Sequence, residues 1–411
     1  MPNNHDREII RRLAAETAEI AAMPVQEETR RLWRQLNGLQ PERPMVTMDQ
    51  VCWNEMNVND ELTITTEDPV CQIHEGWMRR QLYQWKHFPV DMVVEPFVRV
   101  PMAIGNTGFG IGIKEHTAVL DPSNSVVGHY FENQFETDAD LDKIQVPQIT
   151  HDPEETERWL QSAHDLFDGT LEIFKQGYDP YLSVWDPIST WMGVEGALYA
   201  IIDRPEYMLE MGRRMVNGYM SMFDQLEEQG LLCHHQSLIH CTGAYTDDLP
   251  APGFDPECPR TKDIWMFGLA QMLSTVSPAM FGEFEIDVCM PIFERFGLVY
   301  YGCCDPLDRK MAQVRRIPHL RKVSMSPWVN EELGASEIKG DYVYSRKPNP
   351  AILAWPNFSE KEAREHIQNT VDVCARHGCP LELIFKDIST VAYEPQRLWK
   401  WAEITMEIVK G

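Results

Sequence analysis

The chain has 411 residues, 43% of them hydrophobic and 24% charged, which marks a folded globular protein and excludes a disordered one. Its formal charge of −26, from 37 basic and 63 acidic residues, argues against nucleic-acid binding, which needs a basic footprint. No run of about 18 uncharged apolar residues exists and the charged N-terminal stretch lacks the apolar centre of a signal peptide, so a cytoplasmic protein with no membrane span is expected.

From Asp6 to Leu39, apolar Ile9, Leu13, Ile20 and Leu32 recur among charges and Pro24 interrupts them, so residues 1–44 read as a helical arm. An arm of this kind is compatible with a homodimer and leaves the oligomeric state open. The stretch VTMDQVCWNEM reads as a short strand running into a loop with Trp53 and Glu55. His74 to His87 reads as a helix, and Asp91 to Val100 as a strand with Glu95 inside it. A carboxylate in a buried run must be paired, protonated or used, so Glu95 is either half of a structural pair or a substrate-binding residue.

Residues 101–150 read as an excursion inserted into the main fold. Its glycines, in GNTGFGIGIKEHTA, do not form GxGxxG and no helix follows, which excludes a dinucleotide loop. Beyond Glu154, helices are expected at 155–177, through Tyr199, and at 204–229, 262–275, 278–296, 359–378 and 396–409. Strands are expected at 181–185, 238–241, 298–302, 322–326, 342–345 and 381–385. Alternation over this length predicts an α/β fold: residues 45–411 form a TIM-type (β/α)8 barrel, with the helical arm and insertions added.

In such a barrel the active site lies at the C-terminal strand ends. The apolar run Leu298 to Tyr301 stops at Gly302 and delivers Cys303, Cys304 and Asp305 before Pro306. Two thiols and a carboxylate there suit a metal or reactive site, although small buried cysteines also serve as packing. The other strand ends bring Glu95, Trp185 and Asp186, His240 and Cys241, Ser326 and Trp328, Arg346 and Lys347, and Lys386 and Asp387. His240, Cys303 and Cys304 offer imidazole and thiolate ligands for zinc, and Glu283 can add a carboxylate. The ten cysteines include no CxxC pair, which argues against a zinc ribbon or a thioredoxin-like site.

Three segments carry a resemblance to the uroporphyrinogen decarboxylase superfamily, and within it to the cobalamin-dependent methyltransferases. They are YLSVWDPISTWMGVEGALYA with the following RPEYMLEMGRRM, the run from Leu273 to Asp305, and the C-terminal PLELIFKDISTVAYEPQRLWKWAEI. The resemblance spans roughly residues 45 to 410. The chain lacks the arginine-rich segment that holds porphyrin carboxylates in the decarboxylases; VTMDQVCWNEMNV stands there. Tyr301-Gly302-Cys303-Cys304 stands where the methyltransferases have His-x-Cys-Gly, and Phe385-Lys386-Asp387 replaces their final cysteine.

The resemblance implies transfer of a methyl group from a small methyl donor, a methoxylated aromatic, to cob(I)alamin on a partner corrinoid protein. It also implies zinc, held by a rearranged set drawn from Cys303, Cys304, His240 and Glu283. Tyr301, His240 and Lys386, with Asp387 beside it, are the catalytic candidates for the ether oxygen. Glu95, Trp53, Trp185, Trp328 and Lys347 are the substrate-binding candidates. The alternative is a decarboxylase of a small carboxylic acid on the same barrel, with Arg346, Lys347 and Lys386 on the carboxylate.

Overall fold

A computed structural model describes residues 2–119 and 127–411; the part of the expected excursion at 120–126 lies outside the described residues. Seven strands form one parallel sheet: β1 (Met45–Met48), β2 (Tyr181–Leu182), β3 (Trp265–Gly268), β4 (Leu298–Tyr301), β5 (Leu320–Met325), β6 (Val343–Arg346) and β7 (Leu381–Phe385). Their order is β1-β7-β6-β5-β4-β3-β2, so the last strand lies beside the first and the rest follow in sequence. Every residue of β1, β3, β4, β6 and β7 is buried, as expected of parallel strands covered on both faces. The order is consistent with a TIM-like arrangement. Among the described residues no ladder joins β1 to β2, so the closure expected of an eight-stranded barrel is not shown.

Several elements differ from the sequence reading. The helix expected at 262–275 is instead β3 between two short 3-10 turns. Its core, Trp265-Met266-Phe267-Gly268, is too short for periodicity to separate a buried strand from a helical turn. The helix expected at 155–177 ends at Phe167, where Gly169 takes a positive φ of 82° and turns the chain. Glu172–Gln176 is then a strand paired with Phe97–Pro101, outside the main sheet. Glu95 precedes that pair instead of lying within a strand. Trp185 opens a helix, Trp185–Met192, and does not end a strand.

The N-terminal arm packs on its own chain. Helix α1 (Asn4–Ala21) buries Ile9, Ile10 and Leu13 against Cys71 and Met78 of α2 (Pro69–His87) and Phe167. The intervening helix, Pro24–Asn37, sets Leu32, Trp33 and Leu36 against Met45 and Val343 at the sheet. From its end, Asn37 Nδ2 donates to the carbonyls of Gly243 (3.0 Å) and Tyr245 (2.7 Å).

That contact holds the tight ribbon Leu238–Gly243, whose paired ends enclose His240 and Cys241. Both turn residues have positive φ, 37° and 70°. Thr47 Oγ1 donates to Cys241 O (2.8 Å), and Thr242 Oγ1 donates to Glu382 Oε2 (2.7 Å). Glu382 in turn pairs with Lys322 at 2.7 Å, both side chains fully buried. The ribbon is thus tied to β1, β5 and β7, and this fixes where His240 points.

Candidate functional site

At the tip of β4, Gly302 adopts φ 91°, and a Cβ there would lie 2.5 Å from Leu307 and 3.1 Å from the Ser324 Cβ. Only glycine makes this turn, and the turn delivers Cys303 over the end of the sheet. Ser324 Oγ on β5 holds the Cys303 carbonyl at 2.6 Å.

Cys303 Sγ lies 3.0 Å from Lys386 Nζ, 3.2 Å from His240 Nε2 and 3.6 Å from Cys304 Sγ. Lys386 Nζ is also 3.2 Å from His240 Nε2 and 3.3 Å from Asp387 Oδ2. Cys304 Sγ reaches Asp387 Oδ2 at 3.6 Å, and both residues are partly exposed, so the cluster opens to solvent on that side. The imidazole stacks on Phe267 with ring centres 3.7 Å apart. Its Nε2 serves one role at a time, donating to the thiolate or accepting from the ammonium.

The charges follow from this geometry. The Cys304 thiol donates to Cys303, and with His240 and two ammonium groups nearby it holds Cys303 well below the ordinary thiol range despite burial. The same contact raises Cys304. The thiolate of the pair therefore sits on Cys303. Burial works against the charge of Lys386, but the thiolate beside it overrides burial and raises its pKa. Burial pushes His240 down, which favours neutral imidazole. Lys347, fully enclosed, donates to Tyr300 Oη (2.7 Å) and Ser324 Oγ (2.6 Å), and burial lowers it to about 8.

A second, acidic layer lies behind the thiols. Asp305 is fully buried with neither carboxylate oxygen hydrogen-bonded, and burial raises it to about 6. Glu285 accepts from Tyr301 Oη at 2.9 Å and is raised by burial to about 8.

The structure brings His240, Cys303, Cys304, Lys386, Asp387 and Lys347 together. It does not bring the other candidates to them. Tyr301 points to the opposite face of β4, towards Glu285, because neighbouring strand residues alternate; Tyr300 faces the Lys347 side. Glu283 is exposed on a separate groove with Arg213 and Asp287. Its neighbour Glu285 is the buried one, since the turn Gly282–Asp287 is π-helical and shifts the buried face. Trp185 is wholly core, against Phe284. Trp328 is 70% exposed. Glu95 is spoken for by Arg30 Nη2 (2.8 Å) and Tyr245 Oη (2.6 Å), a structural pair. Arg346 is tied to Glu331 and to the Met325 and Ser326 carbonyls.

Trp53 lines a cavity of about 290 Å3 between α2, β1 and the ribbon, with Trp33, Trp77, Arg80 and Cys241 also in its wall. Sequence reading missed Arg80 and Trp77, because on a helix they read as solvent face and packing.

The donor set does not fit a zinc site. The Lys386 ammonium lies between the imidazole and the thiolate, within 3.2 Å of both, where a cation bound by the two would be repelled. Glu283 is elsewhere, and among the described residues no group of three or more His, Cys, Asp or Glu side chains is arranged to hold a metal.

No family model matches the chain. No curated protein matches it either. Among solved structures 22 chains match. One, a methyltransferase from Methanosarcina mazei, is 10% identical over 92% of this chain and 97% of its own length, with a TM-score of 0.48, a likeness too distant to bear on fold or function. Among the described residues no helix is long and apolar enough to cross a membrane.

Proposed function

We propose that the chain is an enzyme that moves a methyl group from a small methoxylated aromatic to the cobalt(I) of a corrinoid carried by a partner protein. The observation that carries this reading is the solvent-open cluster at the strand ends, in which Lys386, His240 and Cys303 meet within 3.2 Å with Lys347 behind them. The resemblance of three segments to the cobalamin-dependent methyltransferases gives the reading its chemistry.

The acceptor supplies the nucleophilic electron pair that forms the new bond to the methyl carbon. The protein's tasks are to hold the ether in line with it and to stabilise the departing oxygen. The C–O pair leaves on a phenoxide, a better leaving group than an alkoxide because phenol ionises near pH 10. Lys386, kept charged by the Cys303 thiolate, offers the electrostatic stabilisation that a metal gives in related chemistry. Lys347, lowered to about 8, holds a proton near neutral pH for the released oxygen. The open side at Cys304 and Asp387 is the approach for the acceptor protein.

One observation favours a second reading. The two ammonium groups of the cluster, Lys386 and Lys347, also suit a carboxylate, and decarboxylation of a small acid would use them to bind it. Product analysis separates the two: under anaerobic conditions with a cob(I)alamin source, methyl transfer releases a phenol and consumes cob(I)alamin. Decarboxylation releases carbon dioxide and needs no acceptor.

A further inference from the structure

The cavity of about 290 Å3 has a composition of its own. It is small even among small-molecule sites, which run roughly from 300 to 1,000 Å3, and has room for one ring-sized ligand. Its walls are aromatic: Trp33, Trp53, Trp77, Phe88 and Tyr245. In this wall stands one cation, Arg80, whose guanidinium lies 5.6 Å from the Trp53 ring centre. Among the described residues Arg80 makes no ion pair and no hydrogen bond, in a chain that carries 63 acidic residues. Beside it, Gln81 Oε1 is buried without a partner. A buried amide without a partner is costly, and a bound polar ligand would relieve it in either amide orientation.

The acidic residues of the cavity set the ligand's polarity. Asp91 is neutralised by Arg43, at 2.5 and 2.9 Å. Asp49 stands at the tip of β1, where its backbone amide bonds Phe385 O at 3.0 Å, one residue before Lys386. The cavity is therefore cationic at the α2 end and anionic at the strand tip. Cys241 shares the wall with Asp49 and follows His240 in the ribbon, so the anionic end lies on the side of the reactive cluster, whose own side chains stand outside the wall.

We propose that this cavity binds a small aromatic monocarboxylate, with its ring among the tryptophans and its carboxylate on Arg80. Its uncharged edge then faces Asp49 and the cluster. This names the substrate class for the proposed methyl transfer and rests on that reading for its role, but binding is measured without turnover. A second carboxylate on the far edge would meet Asp49 and be rejected.

Calorimetric titration of the full-length protein with 4-methoxybenzoate, with its neutral amide and with 2-methoxyterephthalate, whose second carboxylate lies opposite the first, tests it. The expected result is saturable binding of the monocarboxylate, at least about tenfold tighter than the amide or the dicarboxylate, the range for a lost charge-assisted contact. Arg80→Gln should remove that preference by weakening the acid far more than the amide, and Arg80→Lys should restore part of it. Because Arg80 is exposed and forms no internal bond, neither substitution is expected to unfold the chain. Equal affinity for acid and amide, no saturable binding, or an Arg80→Gln protein that keeps the preference would each overturn the proposal. Tight binding with no methyl transfer leaves the cavity assignment standing and removes the proposed function. Methyl transfer equally fast from neutral methoxyarenes does the reverse.

Discussion

Lys386 and Cys303 meet at 3.0 Å across the ends of β7 and β4, strands that β5 and β6 separate in the sheet, an ammonium on a thiolate with His240 closing the triangle. The Cys304 thiol, donating to Cys303, is the largest cause that lowers Cys303 and raises Cys304, and the Lys386 ammonium adds to the lowering of Cys303. Lys386→Met is expected to shift the pH profile of Cys303 alkylation by iodoacetamide to higher pH, since the ammonium favours the thiolate. Cys303→Ala should abolish the fast-reacting thiol, whereas Cys304→Ala should leave a reactive one. Unchanged alkylation in Lys386→Met would mean that the ammonium does not hold the thiolate.

The ribbon that positions His240 depends on the buried Lys322–Glu382 pair. Removing one partner strands a charge in the interior, so Lys322→Met is expected to cost about 3–5 kcal/mol in denaturant unfolding. Replacing both, as Lys322→Met with Glu382→Leu, should recover much of that loss. If the single substitution proves neutral, the pair does not anchor the ribbon.

Glu285 gives a pH dependence that runs from the weakly acidic through the neutral range. Burial raises it to about 8 from an ordinary value of 4.5, so between those values the folded chain holds a proton that the unfolded chain has released. Stability must therefore fall as pH rises through that window, by up to about 1.4 kcal/mol per pH unit from this group. Glu285→Gln keeps an acceptor for Tyr301 and removes the titration. Its unfolding free energy should vary less between pH 5 and 8 (roughly the window set by the two values) than that of the natural chain. Parallel profiles for the two proteins would contradict the assignment.

Glu75 gives the opposite sign. Burial opposes its charge, but the Thr65 and Thr66 amides and Arg79 (2.7 Å) hold the carboxylate down at about 2. Its stabilisation is full above the unfolded value of 4.5 and is lost as pH falls towards about 2. Glu75→Gln should flatten acid unfolding in that range and lower stability at neutral pH by about 1–3 kcal/mol. Equal acid midpoints would show that Glu75 is not paired in solution.

The parts of this site legible in the sequence were those marked by strong local punctuation. Leu298 to Asp305 reads as a strand tip because an apolar run meets glycine and then proline. Lys386 and Asp387 follow another such run. The errors have local causes too. The sequence reading names Tyr301 and not Tyr300, because strand phase is invisible when both faces are buried and both residues are apolar enough to pack. The sequence reading names Glu283 and not Glu285, because the π-helical turn that buries Glu285 leaves no mark in the sequence. Strand β3 was lost in a segment that reads as helix, and with it Phe267, the platform under His240. Arg80 carries no motif at all. Its meaning lies in Trp77, one helical turn before it, and in Trp33 and Trp53 from other segments, which the fold gathers around the same cavity.

The most direct measurement is a single-turnover reaction of the purified protein with cob(I)alamin and 4-methoxybenzoate carrying isotope only in its methyl group. Methyl transfer predicts label on the cobalamin in a one-to-one ratio with the phenol released, and loss of that transfer in Lys386→Met. Release of carbon dioxide with the labelled ether intact, or no label on the cobalamin from any methoxybenzoate, would contradict it.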